Sequence, residues 1–268
     1  MKLRNQLLTI LGVGLGLVGA GVLGNTAEAA KTMTVNYVST TGQQLRAPIT
    51  YTRVSNGINA FGTTYTYTTS GYPNTQSGYV KTIKGYVPHK VQQNYTYQSM
   101  PSSLTVKYIK ESTLARKVEK QYLKQINAYR VTKGLKEFKH RASLKTKAIV
   151  RSKELWTKLS HVRPNGQSYN SSNSGYAEVM AVLPTYFTSY GISTYNSGQG
   201  ATIVYNSNGY VSYKKTAQTA SNELLTCDAE HRDTELNNWA TYSEVAFSFH
   251  ADGSAKMAQL FELAGAKE

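Results

Sequence analysis

Cysteine is almost absent from this chain, which has one, Cys227, among 268 residues. A single cysteine excludes an intramolecular disulfide bond, and with it the class of small exported domains that disulfides stabilise. A chain of this length can instead bury a hydrophobic core. Because Cys227 follows Leu224 and Leu225 in a helical pattern, we expect it to be a buried, unreactive thiol.

Acidic residues are scarce as well: 15 Asp and Glu stand against 30 Lys and Arg, a formal net charge of +15. The basic residues are dispersed and match no recognised nucleic-acid-binding motif, so we expect no specific nucleic-acid partner. A surface of this charge attracts polyanions. For an exported protein, the expected partners of such a surface are anionic cell-wall polymers or acidic glycans. The alternative is a generally basic soluble surface without a dedicated partner.

Long apolar runs are missing after residue 30, where no stretch approaches the ~20 residues that span a bilayer. The one long apolar run of the sequence lies before that point, at residues 7–24. It follows two basic residues and precedes Ala27-Glu28-Ala29. This order is typical of a secretory signal peptide, so we predict cleavage of residues 1–30, with an uncleaved anchor as the alternative. The mature chain, with a net charge of about +14, is then expected to be secreted, extracellular or non-covalently wall-associated.

Residues 31–110 contain no acidic residue and are rich in Thr, Tyr, Ser and Gly. Val, Tyr and Thr recur there with period two, as in MTVNYV, TTYTYTT, QNYTYQS and LTVKYIK, which predicts an all-β module. The segments 34–38 (TVNYV) and 105–109 (TVKYI) nearly repeat each other, so we expect them to share one sheet. Most tyrosines should form cross-strand pairs, while a few exposed ones could stack on sugars.

The segments TVNYVSTTGQQL, IKGYVPHK and SSLTVKYIK occur in this order and resemble the mucin-binding-protein repeat of Gram-positive surface proteins. Those repeats begin with a V-x-Y-V strand, pass through a central Gly-Tyr and end in another V-x-Y strand. The resemblance covers residues 32–110, although the stretch 52–75 departs from the usual repeat. It implies a separate N-terminal module of β-grasp-like form that binds glycans.

The period of the apolar residues changes to three or four near Ser112. This spacing predicts amphipathic helices over 113–133, 142–160 and 214–228, the first of them ended by Gly134. The segments YSEVAFSFH and AKMAQLFEL, separated by Ala-Asp-Gly, predict a β-hairpin. Helices followed by strands indicate a single α+β domain over residues 112–268, after a β module over 31–111.

Six short motifs follow one another in this second region. The chain reads INAYR at 126–130 with GL at 134–135, SH at 160–161 with Pro164 and Gly166, AEV at 177–179, HR at 231–232, SEV at 243–245 and AQLF at 258–261. In number and order they resemble the bacterial type of the CAP superfamily, the cysteine-rich secretory, antigen 5 and pathogenesis-related-1 proteins, also called SCP domains. The resemblance spans residues 113–263 and implies an α-β-α sandwich.

In that family, two histidines and two acidic residues converge on one cleft. By motif, His161, Glu178 and His231 occupy three of these positions. We therefore expect a cleft that binds a polar ligand, or a divalent metal, Zn²⁺ or Mg²⁺, with these three residues as ligands.

The second acidic residue of the cleft is open among Glu223, Asp228 and Glu230. Glu223 is preferred because it lies on the helix that carries this acid in many relatives, whereas Glu230 is nearest in sequence to the motif histidine. The chain also has Ala177-Glu178-Val179 where relatives have Gly-Glu-Asn, so an amide that lines the cleft is missing.

The remaining histidines, His89, His140 and His250, are expected to be solvated. Glu244 is expected to have a structural role at the start of a strand, bonding Arg232.

A Ser-His nucleophile pair at Ser160 and His161 is not expected. Adjacent residues at a helix end point in different directions, and no nucleophile-elbow motif is present.

The resemblances imply a non-catalytic secreted protein in which a basic mucin-binding-like module delivers a CAP domain to the cell wall or to host glycans. We assign no catalytic residue. The alternative is a metal-assisted extracellular hydrolase of peptide or cell-wall material, because a bound Zn²⁺ can lower the pKa of water to about 7. The chain lacks H-E-x-x-H or a comparable motif, which argues against it. A third hypothesis is adhesion through the β module alone, with a vestigial cleft.

The change of period near Ser112 predicts that limited proteolysis releases a core that begins near residues 110–115. Mass spectrometry of the stable fragment would locate its first residue. Halves that fail to express as separately folded units would contradict the division into two domains.

Overall fold

The structure is a computed structural model that describes residues 31–53, 68–69, 80–90, 100–170, 174–183, 187–188, 191–192, 203–206 and 208–263. The predicted signal peptide, residues 1–30, lies outside these ranges. Within them the chain forms four helices, a five-stranded sheet, a three-stranded sheet and a short two-stranded pair. This mixture confirms the α+β class.

The five-stranded sheet is formed by the N-terminal part of the chain. Its strands are β1 (Lys31–Ser39), β2 (Gln44–Arg53), β3 (Thr68–Thr69), β4 (Tyr86–Pro88) and β5 (Ser103–Lys110), in the order β3-β2-β1-β5-β4. Strands β1 and β5 pair in parallel, with Val35 opposite Leu104, so the prediction that the two similar segments share one sheet is confirmed. Alternate residues such as Met33, Val35 and Tyr37 form a hydrophobic core on one face.

The rest of the chain begins with a helix that continues directly from β5. Its elements are α1 (Glu111–Thr132), α2 (Ala142–Glu154), β6 (Tyr176–Leu183), β7 (Phe187–Thr188), β8 (Gly191–Ile192), α3 (Tyr213–Thr226), α4 (Ala229–Glu235), β9 (Ala240–Phe249) and β10 (Ala255–Leu263). The predicted hairpin is confirmed as β9 and β10, with Gly253 at φ +83° in the turn.

Local backbone hydrogen bonds mark the ends of helices α1 and α2. Gly134 follows α1 at φ +73°, and the amides of Gly134 and Leu135 donate to Val131 and Arg130, which is a Schellman cap and confirms the predicted role of Gly134. Helix α2 ends at Glu154, earlier than predicted, because the next amides bond three residues back, Trp156 to Lys153 for example, and so tighten the chain into a turn.

Strand β10 is the centre of the three-stranded sheet, whose order is β6-β10-β9. Met257 and Phe261 of β10 share a core with residues of α1 and α3, whereas Leu260 packs with Leu144 and Ala148 of α2. Because successive side chains of a strand point to opposite faces, α1 and α3 cover one face of the sheet and α2 covers the other.

The outer edge of β9 is covered by charged side chains from two helices. Glu119 of α1 accepts a hydrogen bond from the Phe247 amide at 2.9 Å, and Lys145 of α2 donates to the Val245 carbonyl. The two side chains form an ion pair at 2.9 Å. The backbone groups of an edge strand that could pair with another chain are thereby occupied at this point.

The junction between the two predicted domains contains no linker residue, since β5 ends at Lys110 and α1 begins at Glu111. Val87 and Ile109 of the first sheet belong to the same core as Leu114 of α1. The Val211 amide also donates to the His89 carbonyl at 3.1 Å. The division into domains stays a prediction, and proteolysis at the junction requires β5 or α1 to open first.

A buried carboxyl group lies at the end of α4. Glu235 is 0% exposed; its Oε1 lies 2.7 Å from the Tyr122 hydroxyl, which lies 2.6 Å from Oε1 of Gln259. The Gln259 amide nitrogen contacts Oε2 of Glu235 and the Ser243 hydroxyl, which fixes its orientation. One tyrosine hydrogen cannot serve two acceptors, so a proton on Glu235 completes the network. Burial raises the pKa of Glu235 to about 7, although Tyr122, Gln259 and Arg130 lower it.

Glu235→Gln should become more stable relative to the parent protein as the pH rises. The folded protein holds a proton on Glu235 up to about pH 7, whereas the unfolded chain releases it near pH 4.5. The parent therefore loses up to about 3 kcal/mol of stability between these values, and a glutamine does not. Urea unfolding at pH 4.5, 6 and 7.5 would measure the difference, with exposed Glu137→Gln as the control. A pH-independent difference would contradict a protonated Glu235.

Candidate functional site

The first site residue, Glu178, lies on the sheet face that α2 covers, opposite Leu260 of β10. Its side chain is fully buried, and its Oε1 lies 2.5 Å from Nε of Arg151, which is also fully buried. Arg151 donates in addition to the carbonyl of Ser160. Because neither side chain of this ion pair reaches solvent, each charge depends on the other for its stabilisation. Together with the bond to Ser160, the pair fixes the C-terminal end of α2 and residue 160 over β6.

His161 follows directly and is held by the same carboxylate. Its Nδ1 lies 3.1 Å from Oε2 of Glu178 and 3.0 Å from the amide nitrogen of Asn170. The amide oxygen of Asn170 accepts from the Glu178 amide at 2.5 Å, which fixes the orientation of Asn170. Oε2 of Glu178 can only accept and the Asn170 amide nitrogen can only donate, so the tautomer of His161 decides which of the two Nδ1 bonds. Nε2 is left to face other partners on a side chain that is 40% exposed.

A second ion pair fixes the hairpin that carries His161. Arg163 binds Glu154 at the end of α2 through two hydrogen bonds, of 2.9 and 2.7 Å. These bonds lower the pKa of Glu154 and raise that of Arg163. The hairpin turns at Gly166, which has φ +85°. His161 is therefore held between two anchored points and is not a solvated helix end.

Sequence reasoning missed Arg151 and Asn170, although they hold His161 and Glu178 in place. Neither residue belongs to a motif. The one signal was the spacing of Arg151 from the apolar residues Leu144, Ala148 and Leu155. Residues three or four apart lie on one face of a helix, so this spacing places a charged residue on the buried face of α2.

His231 lies in a different set of contacts. Its Nδ1 is 2.7 Å from Oδ2 of Asp228, and its amide donates to Oδ1 of the same residue. Of the three candidates for the second acidic residue, Asp228 is therefore the one that bonds His231. Glu223 lies half-buried on α3 and Glu230 is exposed on α4.

Cys227 is exposed, so the prediction of a buried thiol was wrong. Helix α3 ends at Thr226, and the chain leaves the core there before Cys227 can follow Leu224 inward.

His140 is exposed, as predicted, whereas Glu244 differs from its predicted contact. Glu244 is buried and accepts from the Arg141 amide at 2.8 Å, and it pairs with His140. Arg232 pairs instead with Asp233 at 3.3 Å, so the predicted bond between Glu244 and Arg232 was wrong. The reason is the strand register, which places Glu244 opposite Leu260 on the face covered by α2.

Of the other two histidines, His250 is exposed, as predicted, and stacks on Trp156 at 3.4 Å. His89 was expected to be solvated but is half-buried beside Tyr210 and Tyr213. Burial there lowers its pKa.

The metal that the resemblance implies does not fit His161 and Glu178. Both oxygens of Glu178 are occupied, one by buried Arg151 and one by His161, so a cation would have to displace a guanidinium that has no other carboxylate as close. In the described part of the chain, one set of three possible ligand atoms lies within 4.8 Å of one another. It consists of Cys227, Asp228 and His231, a group that could hold a metal.

A scan against protein-family models and a search of curated proteins found no match to this chain. Of the helices in the described ranges, none combines the length and apolar character needed to cross a membrane.

Glu178→Ala should destabilise the protein by about 3 kcal/mol or more, because it leaves the Arg151 guanidinium buried without its counter-charge. His161→Ala should cost less than about 1 kcal/mol, because that side chain is partly exposed. Thermal or urea unfolding of both variants would measure these losses. Equal losses, or a negligible loss for Glu178→Ala, would show that the Arg151 pair does not hold the end of α2.

Proposed function

We propose that this chain is a secreted bacterial protein of the CAP type that binds ligands without catalysis. In this proposal its second region is an α-β-α sandwich with a polar cleft at His161, and its first region is a mucin-binding-like β module. The observation that carries the proposal is the 3.1 Å contact between His161 and Glu178. The family resemblance assigns these two motif residues to one cleft, although they are 17 positions apart in the sequence.

The hairpin that follows His161 lines a cavity whose groups favour a polar ligand such as a glycan. This cavity of about 480 Å³ is lined by polar and aromatic residues, namely Arg163, Gly166, Gln167, Ser168, Tyr169, Ser174 and Tyr176. Arg163 lies over the ring of Tyr169, with 4.9 Å between the guanidinium carbon and the ring centroid. Aromatic faces combined with amide and hydroxyl groups are suited to sugars, which present both apolar and hydroxyl-bearing surfaces.

The distribution of charge favours a polyanionic surface as the place of attachment. Residues 31–110 carry basic side chains and no acidic one. On α1, the residues Arg116, Lys120 and Lys124 are all exposed and follow one another at intervals of four, so they form one stripe along the helix. We propose anionic cell-wall polymers or mucin-type glycans as the partners, bound non-covalently.

Binding to isolated peptidoglycan, teichoic acid and mucin should fall steeply between low salt and ~0.5 M salt, where screening lengths fall to a few Å. The variant Arg116→Gln, Lys120→Gln, Lys124→Gln should bind less at low salt. A matched variant, Lys136→Gln, Lys139→Gln, Lys158→Gln, removes the same charge from dispersed exposed positions and should bind more tightly than the stripe variant. Sedimentation with each polymer would measure both.

Binding that survives high salt would contradict electrostatic attachment. Equal losses in the two variants would contradict the stripe on α1 while keeping the role of total charge. Binding to none of the three polymers would contradict the proposed function as a whole. The hydrolase alternative predicts metal-dependent release of peptide or wall fragments, which the same incubations would show.

A further inference from the structure

We propose that Cys227, Asp228 and His231 form a binding site for a thiophilic divalent cation of the Zn²⁺ class. The three residues lie within five consecutive positions, at the junction between α3 and α4. They offer a thiol, a carboxylate and an imidazole, which are the ligand types that bind Zn²⁺ in proteins. The site differs from the His161, Glu178 and His231 set that the family resemblance implies, and it goes beyond the proposed binding function.

The carboxylate of Asp228 is already oriented for this role. Its Oδ1 accepts the His231 amide at 2.8 Å, and its Oδ2 faces the two other ligands, 2.7 Å from Nδ1 of His231 and 3.7 Å from Sγ of Cys227. One oxygen thus holds the backbone while the other is directed towards the place where a cation would lie. All three ligand atoms lie within 4.8 Å of one another.

These spacings are close to those of a tetrahedral site. Zinc–ligand bonds of about 2.0 to 2.3 Å place neighbouring ligand atoms about 3.3 to 3.7 Å apart. The distance between Sγ and Oδ2 already has this value, and the contact between His231 and Asp228 has to open by about 0.6 Å. Half of the Asp228 side chain and about a quarter of the His231 side chain are exposed, so this opening needs no change in the core.

The thiol decides which cations fit. A thiolate ligand selects Zn²⁺ and other thiophilic ions and disfavours Mg²⁺ and Ca²⁺, which prefer oxygen. Zinc binds the thiolate and not the thiol, so the cation must displace the thiol proton. One proton leaves the sulfur as the metal–sulfur bond forms, and affinity therefore rises with pH.

The test uses the full chain, metal-free and reduced with a phosphine. Calorimetry with Zn²⁺ should give one bound ion per chain, and Co²⁺ should produce the near-ultraviolet absorption band of cobalt–thiolate coordination. Cys227→Ser should remove the band, and Cys227→Ser and Asp228→Asn should each lower Zn²⁺ affinity by at least about tenfold. Asparagine is as good a helix N-cap as aspartate, so Asp228→Asn tests the ligand and not the fold.

Two variants serve as controls. Asp233→Asn removes an exposed carboxylate on the same helix and should leave Zn²⁺ affinity unchanged, as should His161→Ala. The proposal is overturned if the parent chain binds no Zn²⁺ or if Cys227→Ser binds like the parent. It is equally overturned if His161→Ala loses as much affinity as Cys227→Ser, because the ion would then lie at the set that the resemblance implies. None of these results depends on binding to wall polymers or glycans, so the two proposals fail separately.

Discussion

The burial of β10 on both faces is the constraint on which the second region of the structure depends. A sheet of three strands has two apolar faces and cannot cover either by itself, so each face needs a layer of helices. Met257 and Phe261 require α1 and α3 on one side, and Leu260 requires α2 on the other. The helix layers on the two sides of the sheet are therefore required by one strand, β10, which has apolar side chains on both of its faces.

Two buried glutamates determine where α2 lies on that sheet. Glu244 and Glu178 stand on either side of Leu260 in the strand register. Glu244 bonds the backbone just before α2, and Glu178 bonds Arg151 near its end. Burying these carboxylates has a desolvation cost that hydrophobic residues at the same positions would not have. The two bonds fix the position of α2 along its own axis. They thereby fix the position of His161, which follows the helix in the chain.

Periodicity predicted the helices and the final hairpin because it reports which side of an element is buried. It failed where an element ends, as at Cys227, because one residue beyond a helix terminus the periodic rule no longer applies. It also could not identify the partner of Glu244, which depends on strand register between distant segments. The contact between His161 and Glu178 followed only from the order of family motifs, and the residues that hold it, Arg151 and Asn170, carry no pattern of their own.

The direct continuation of β5 into α1 has a mechanical consequence. Strands β1 and β5 are parallel and hydrogen-bonded along their length, so tension applied between Lys31 and α1 pulls them from opposite ends. Such a load acts on the hydrogen bonds in shear, all at once, whereas a load at adjacent ends would break them one after another. No linker is present at this junction to extend first. A protein pulled from these two points would therefore resist stretching, for example in flowing liquid, until the hydrogen bonds between β1 and β5 break.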